Sequence, residues 1–401
     1  MRIRATSLAT LSVVVLILAA CSPAATPSPV PTAAPTAAPT AAPTAAPTAA
    51  PTEPPAALTC DVALKVGLVT DVGRINDKGF NQSAYEGMEL AAAEAPTCFE
   101  TDFIETTSAS DYAANIAQFT DDGYDIVIGV GFLLGNDMGD AAIANPGIKF
   151  ISVDGIPGGC AKDAPPECVA HDTSWFTNGE SLFFAEDQAG YLAGVLAASM
   201  SEASHIGVVG GLVVVPPVEN FVEGYINGAR SVQDDIPVEF VYTTSFVDPP
   251  QGANAASQML ENGADVIFAA GGLTGNGALG AACQARAAGD AVYAIGVDTD
   301  QFETLPEVQA GLLSSATKNI VGALHDSLFR IAADEFVAGV HVDNASTGGI
   351  ALAPFHNFDA DVPQAVKDLL ATTLAGLADG SITTGAVIDG QTTDPGTGQA
   401  H

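Results

Sequence analysis

The sequence predicts an α/β protein of two doubly wound parallel-sheet lobes with a ligand cleft between them. Three observations carry that expectation. Short apolar runs alternate with amphipathic segments in βαβα order, the signature of a parallel sheet wrapped by helices. The stretch from Leu58 to His401, about 340 residues, exceeds what one compact core usually holds and suits two. Acids, aromatics and glycines follow the apolar runs, and doubly wound sheets bind their ligands beyond the carboxyl ends of the strands.

The chain begins with a positive segment, Met1 to Ser7 with Arg2 and Arg4, followed by an apolar run from Leu8 to Leu18. That run is too short and too abruptly ended to span a bilayer. The residues Leu18, Ala19 and Ala20 before Cys21 resemble the lipobox of bacterial lipoproteins, so residues 1–20 are expected to be a signal peptide and Cys21 the acylated mature N-terminus. Two or three acyl chains hold a domain at a membrane far longer than one myristoyl chain. The expected location is the extracytoplasmic face of the cell membrane, through a lipid anchor only. Residues 21–57 repeat PTAAPTAAP with no charge before Glu53; such a segment buries no core and samples extended polyproline-like states, as a tether does.

Against 12 Lys and Arg stand 47 Asp and Glu, for a formal net charge of −35. That field repels nucleic acid, anionic lipid and phosphorylated ligands, so nucleic acid is excluded as a partner. Besides Cys21 there are five cysteines, Cys60, Cys98, Cys160, Cys168 and Cys283, a usage that fits an oxidising compartment. Cys60 and Cys98 each precede a predicted strand, so in a parallel sheet they share one strand edge, where neighbouring Cα atoms are close enough to bridge. Cys160 and Cys168 flank the turn GGCAKDAPPEC and are placed to close a small loop. No His/Cys spacing supports a metal site, no cofactor is expected, and Cys283 in an Ala-rich helix reads as a buried apolar residue.

In the first lobe, Val62 to Thr70, Phe99 to Glu105, Asp125 to Val130 and Lys149 to Val153 read as strands and Asn81 to Glu94 as a helix, with Lys149 to Val153 closing the lobe. A second series begins at Val169. It comprises helices Glu180 to Met200, Val218 to Gln233, about Gly252 to Asn262 and Asn276 to Ala288, and strands His205 to Gly210, Val238 to Thr243, Val266 to Ala270 and Val292 to Val297. Five strand ends stand out. They lead into Asp71, Asp154 with Gly155, SFVDPPQG, GGLTGNG and Asp298, so that three carboxylates and an aromatic converge on one opening where glycines let backbone approach a ligand. Asp77, Asp300 and Glu303 read as solvated loop acids.

The run KVGLVTDVGRINDKGFNQSAYEGMELAAAE, with DQAGYLAGVLAA, AAGGLTGNGAL, AIGVDTDQ and SSATKNI in that order, closely resembles the basic membrane protein family of bacterial lipoproteins. That resemblance covers about Lys65 to Phe358. It implies a type I periplasmic-binding fold, two lobes joined by a three-stranded hinge with crossovers near Thr173, Ser315 and Val337, and a monomer. Residues 58–172 and about 316–337 would form lobe 1, and 173–315 and about 338–390 lobe 2. It also implies a non-enzymatic substrate-binding component that passes a purine nucleoside to an ABC permease in the membrane, with closure as a hinge motion. Phe80 and Phe246 resemble the family phenylalanines that cover the two faces of the purine, with Phe221 beside them. Asp154, Asp298 and Lys318 resemble the groups that grip ribose, Asp71 the acid facing the base with Asn81 assisting, and Gly271 and Gly272 the close backbone contact.

Gly79 departs from the family pattern, which often has serine there, and GGCAKDAPPEC looks like an insertion beside Asp154. A nucleoside hydrolase is the competing class, but there is no Ser/His/Asp order and no metal-ligand spacing to supply its chemistry. A receptor that presents a sugar or signalling molecule without transport is the third.

Overall fold

A computed structural model of the chain describes residues 58–155, 177–388 and 391–392. The run LKVGLVTDV forms β1 (Leu64–Val72), with six consecutive buried residues, as a strand covered on both faces must have. Then follow α1 (Phe80–Glu94), β2 (Phe99–Thr106), α2 (Tyr112–Asp121), β3 (Ile126–Val130), α3 (Gly135–Ala144), β4 (Lys149–Val153) and β5 (Gly179–Phe184). After α4 (Glu186–Met200) come β6 (Ile206–Gly210), α5 (Pro216–Val232), β7 (Val238–Tyr242), α6 (Pro249–Glu261), β8 (Val266–Ala270), α7 (Gly272–Ala288) and β9 (Tyr293–Asp298). The rest is α8 (Gln301–Thr304), β10 (Leu312–Lys318), α9 (Ile320–Ala332), β11 (Gly339–Asp343), β12 (Ile350–Leu352), α10 (Gln364–Asp379) and the small ribbon of β13 (Val387–Ile388) and β14 (Gln391–Thr392). All of this lies in the unit Ala56–His401.

Two six-stranded sheets result, in the orders β11-β5-β4-β3-β1-β2 and β12-β10-β9-β8-β6-β7. Both are parallel except for β12, which runs antiparallel to β10. Apart from β11 and β12 the two orders are the same, so each strand of one lobe has a counterpart in the other. Between β5 and β6, between β10 and β11, and between β11 and β12 the chain passes from one sheet to the other.

Several sequence expectations shift. The first lobe does not close at β4, and Glu180 to Met200 is not one helix: its first part is β5, paired with both β4 and β11. Every residue of GESLFF is buried, and its acid is accommodated because Glu180 accepts from Ser327 Oγ (2.5 Å) and from the Arg330 guanidinium. Burial on both faces decides for strand there. Thr173 lies outside the described residues, and the chain leaves the first sheet only after Phe184. Ser315 lies inside β10 of the second sheet, and β11, expected in lobe 2, belongs to the first. Cys60 and Cys98 are disulfide-bonded with Cα atoms 4.9 Å apart. Cys283 is a free, buried thiol. Cys21, Cys160 and Cys168 lie outside the described residues.

Helix α4 joins the lobes and is buried from Glu186 to Ala197. It can be so because α5 lies almost backbone to backbone against it. A methyl group on Gly194 would sit 2.0 Å from Tyr225 O, and one on Gly228 2.0 Å from Tyr191 O, so only glycine permits this approach. One hydrophobic cluster runs from Val66 and Leu68 of β1 through Phe184 and Leu192 to Val208 and Phe268 in the second sheet. Both lobes are thereby anchored to one core while their strand ends open onto a shared cavity.

Candidate functional site

The carboxyl ends of both sheets surround a cavity. All ten residues expected to bind ligand line it: Asp71, Phe80, Asn81, Asp154, Phe221, Phe246, Gly271, Gly272, Asp298 and Lys318. They come from different strand ends. Asp71 is the penultimate residue of β1, Asp154 follows β4, Phe246 follows β7, Gly271 follows β8, and Asp298 and Lys318 end β9 and β10. Phe80 and Asn81 open α1, and Phe221 projects from α5.

The polar end is organised by one cation. Lys318 Nζ lies 2.5 Å from Asp154 Oδ2, 3.3 Å from Glu186 Oε1 and 3.8 Å from Asp298 Oδ1. It also stands over the rings of Phe80, Phe184 and Phe221, at 4.9, 5.3 and 5.7 Å from their centroids, where ring quadrupoles attract it. Burial alone would make this ammonium easier to deprotonate, but Asp154, Glu186 and Asp298 outweigh that and raise its pKa, so it is charged. In the acids burial is the larger effect and favours the neutral form. Burial raises the Asp154 pKa against the lowering by Lys318, pushes Asp298 up to about 7 and pushes Glu186 up to about 8. One lysine does not offset three carboxylates removed from water.

Asp71 is buried and accepts from Val72 N (2.6 Å) and from the Tyr112 hydroxyl; burial nevertheless pushes its pKa up to about 6. Gly131, with φ of +115°, presses on this acid so closely that a methyl group there would lie 2.4 Å from Asp71 Oδ2. Asn81 Oδ1 and Asp154 Oδ1 are buried and accept no hydrogen bond from the described residues, which leaves acceptors in the cavity available to a donor. Phe80 and Phe246 are half-buried. Phe221 is 3 % exposed and packs edge-on against Phe268, so it serves the core and the cavity wall together.

Asp77 is not the solvated acid expected. It is 5 % exposed, and its carboxylate accepts from Gly79 N, Asn81 N and Gln82 N at 3.0 to 3.1 Å, fixing the start of α1 beside the cavity. Asp300 is half-buried, accepts from Phe302 N and lies 2.7 Å from His356 Nε2. Glu303 is exposed.

Sequence reasoning missed Glu186, which also accepts from Asn220 Nδ2 at 3.1 Å, and Tyr112, Gly131 and Phe132. For Glu186 a signal existed, since an acid directly before the wholly buried run DQAGYLAG needs a partner. None existed for Tyr112, which reaches Asp71 from another element. The GGCAKDAPPEC segment lies outside the described residues.

A family model described as ABC transporter substrate-binding protein PnrA-like matches residues 64–374. The chain is 32 % identical over 333 residues to the ABC transporter nucleoside-binding protein BmpA of Lactococcus lactis, covering 80 % of this chain and 88 % of that one. It is 30 % identical over 262 residues to basic membrane protein A of Borreliella burgdorferi, covering 65 % and 70 %. Among solved structures it is similar to an ABC transporter solute-binding protein from Aeropyrum pernix K1, with TM-score 0.69, 23 % identity and coverage of 80 % and 92 %. A solute-binding protein from Actinobacillus succinogenes with bound D-allose has TM-score 0.55 at 16 % identity, covering 73 % and 98 %. These two likenesses carry the fold of periplasmic solute-binding proteins.

Proposed function

Since the chain belongs to the family of PnrA-like ABC transporter substrate-binding proteins, we propose that it captures a purine nucleoside between its lobes and delivers it to a membrane permease. The observation that carries this reading is the pairing of two kinds of surface in one cavity. Phe80 from one lobe and Phe246 from the other supply flat apolar area, while Asp154, Asp298 and Lys318 supply buried acceptors and one cation. A neutral heterocycle suits the rings, because base–aromatic stacking contributes roughly 1–3 kcal/mol per contact without demanding one hydrogen-bond pattern. Ribose hydroxyls suit the carboxylates, which only accept when ionised.

Asp71 with Asn81 is the pair we assign to the base edge, and Gly271 with Gly272 to close backbone contact. Cys21 is the proposed lipid attachment and residues 22–57 the tether; the protein would then work as a monomer at the outer face of the membrane. The nucleoside-binding name of the Lactococcus lactis relative supports the ligand class.

Calorimetry on the full chain tests the reading. Guanosine, inosine and adenosine should bind, and AMP should bind at least about tenfold more weakly than adenosine, a difference of ~1.4 kcal/mol, because its phosphate meets acids. AMP binding equal to adenosine would remove the ribose-end assignment, and no binding of any nucleoside would remove the ligand class.

A further inference from the structure

Away from the aromatic and carboxylate groups, the lobes are tied together by hydrogen bonds that no ligand mediates. The turn Asp77–Lys78 belongs to the first lobe and leads directly into Phe80 and Asn81. Asn276 of α7 and Gln301 and Thr304 of α8 belong to the second. Asn276 Nδ2 donates to Asp77 O at 2.8 Å, Thr304 Oγ1 donates to Lys78 O at 2.8 Å, and Gln301 Nε2 donates to Lys78 O at 3.2 Å. Gln301 Nε2 also donates to Asn276 Oδ1 at 2.8 Å, so the three side chains form one connected set.

Both halves of this contact are held in place from behind. Lys78 has a left-handed backbone, φ +68°, uncommon for a residue with a side chain. The Asp77 carboxylate accepts from the amides of Gly79, Asn81 and Gln82, which fixes the turn to the start of α1. Opposite, Gln301 is 1 % exposed, its Oε1 accepts from Val297 N at 2.9 Å and its own N–H donates to Ser315 Oγ at 3.2 Å. Asp300 starts α8 by accepting from Phe302 N, and His356 holds Asp300 at 2.7 Å while stacking on Phe302 at 4.0 Å between centroids.

We propose that Asn276, Gln301 and Thr304 form a latch on the Asp77 and Lys78 carbonyls that holds the lobes closed and sets how long a ligand stays bound. The acceptors are main-chain atoms, so their geometry depends on the turn and not on the Lys78 side chain. The latch shares its turn with Phe80 and Asn81, so ligand contact at those two residues and lobe contact at the carbonyls are made by one rigid piece of chain. These are positioning residues: they do not line the cavity, and their effect is on opening. When the lobes part, all three donors and both carbonyls return to water, so each bond contributes only a modest net amount and the latch can open repeatedly.

The test uses the full chain with isosteric changes, Thr304→Val, which removes the hydroxyl, and Asn276→Asp, which removes the donor to Asp77 O and keeps the acceptor for Gln301. Thr304→Ser restores the donor. With inosine as probe, a choice that rests on the nucleoside reading, stopped-flow dissociation should be about five- to tenfold faster in the Val and Asp variants, with association changed less than twofold and the Ser variant near wild type. Hydrogen exchange, with and without inosine, should be faster in peptides covering residues 73–82 and 299–305 and unchanged in β1, β3 and α4. Equal dissociation and equal exchange in variants and wild type overturn the latch, as does faster exchange throughout, which means general destabilisation. If wild type ignores inosine altogether, the nucleoside reading falls, and the exchange comparison on the ligand-free protein alone decides the latch.

Discussion

Asp154 and Asp298 occupy equivalent points in the two lobes and meet at one ammonium. Asp154 follows β4 and Asp298 ends β9, counterparts in the two sheet orders. Both have left-handed backbones, φ +56° and +66°, and their carboxylates lie 2.5 and 3.8 Å from Lys318 Nζ. A strained conformation repeated at matching strand ends persists where the surroundings over-determine it, and here it turns two acids from opposite lobes toward the same cation. The lobes are therefore coupled electrostatically.

Lys318→Met should test that coupling. It keeps most of the side chain's length and leaves Asp154 buried without its cation, which should cost about 3–5 kcal/mol of stability, much as breaking other buried pairs does. Urea unfolding of the ligand-free protein near neutral pH measures it. A loss under about 1 kcal/mol would mean that the acids are already neutralised by protons and that the ion pair contributes little.

Phe246→Ala and Phe80→Ala should each weaken inosine binding by about 1–3 kcal/mol in calorimetry. Their effects on the ligand-free protein should differ. Phe246 is outside the main cluster, whereas Phe80 packs against it and lies under Lys318, so thermal unfolding should move by a few degrees for Phe246→Ala and more for Phe80→Ala. If Phe246→Ala leaves affinity intact, that ring does not touch the ligand.

The raised acids give a signed pH dependence. Asp298 titrates ordinarily near 3.8 and Glu186 near 4.5, and burial takes them to about 7 and about 8 in the fold. The folded state therefore holds protons that the unfolded chain has released. Their contribution to stability is fully present below the ordinary values, falls progressively as pH rises above about 4, and is gone above about 8. The thermal midpoint of ligand-free protein should fall across that window, and Asp298→Asn should flatten part of the slope. Equal slopes in wild type and Asp298→Asn would show that this acid is ionised throughout. Ligand hydroxyls that donate to these carboxylates favour the ionised form, so inosine binding near pH 6.5 should release protons, read by calorimetry in buffers of different ionisation heat.

Gly194→Ala should be strongly destabilising although it adds only a methyl group to a good helix position. That methyl meets Tyr225 O at 2.0 Å, so α4 and α5 must separate, at a cost of at least about 1–3 kcal/mol. Gly280→Ala is the control: nothing lies within 4 Å of the added atom, and in α7 it should be neutral or stabilising. Equal denaturant midpoints for the two variants would refute the close-packed α4–α5 contact.

By itself the sequence determined the alternating strands and helices and the strand-end acids, and it placed Cys60 and Cys98 at one strand edge, because these depend on local apolar periodicity and on where a strand begins; the bond between the two cysteines is seen in the structure. Val266–Ala270 and Lys149–Val153 fall at the expected residues, since short buried runs bounded by polar residues admit one reading. The motifs also mark Phe80, Phe246, Asp298 and Lys318 in the sequence alone. What only the tertiary structure decided was pairing across long separations. GESLFF reads as the start of a helix until β4 and β11 cover both its edges and Arg330 neutralises Glu180. Asp77 reads as a loop acid until the amides of α1 turn toward it. Glu186, Tyr112 and the Gln301 contact with Lys78 join residues 132, 41 and 223 positions from their partners. Such contacts leave no period in the sequence, because burial and charge balance in a folded interior depend on what surrounds a residue in space.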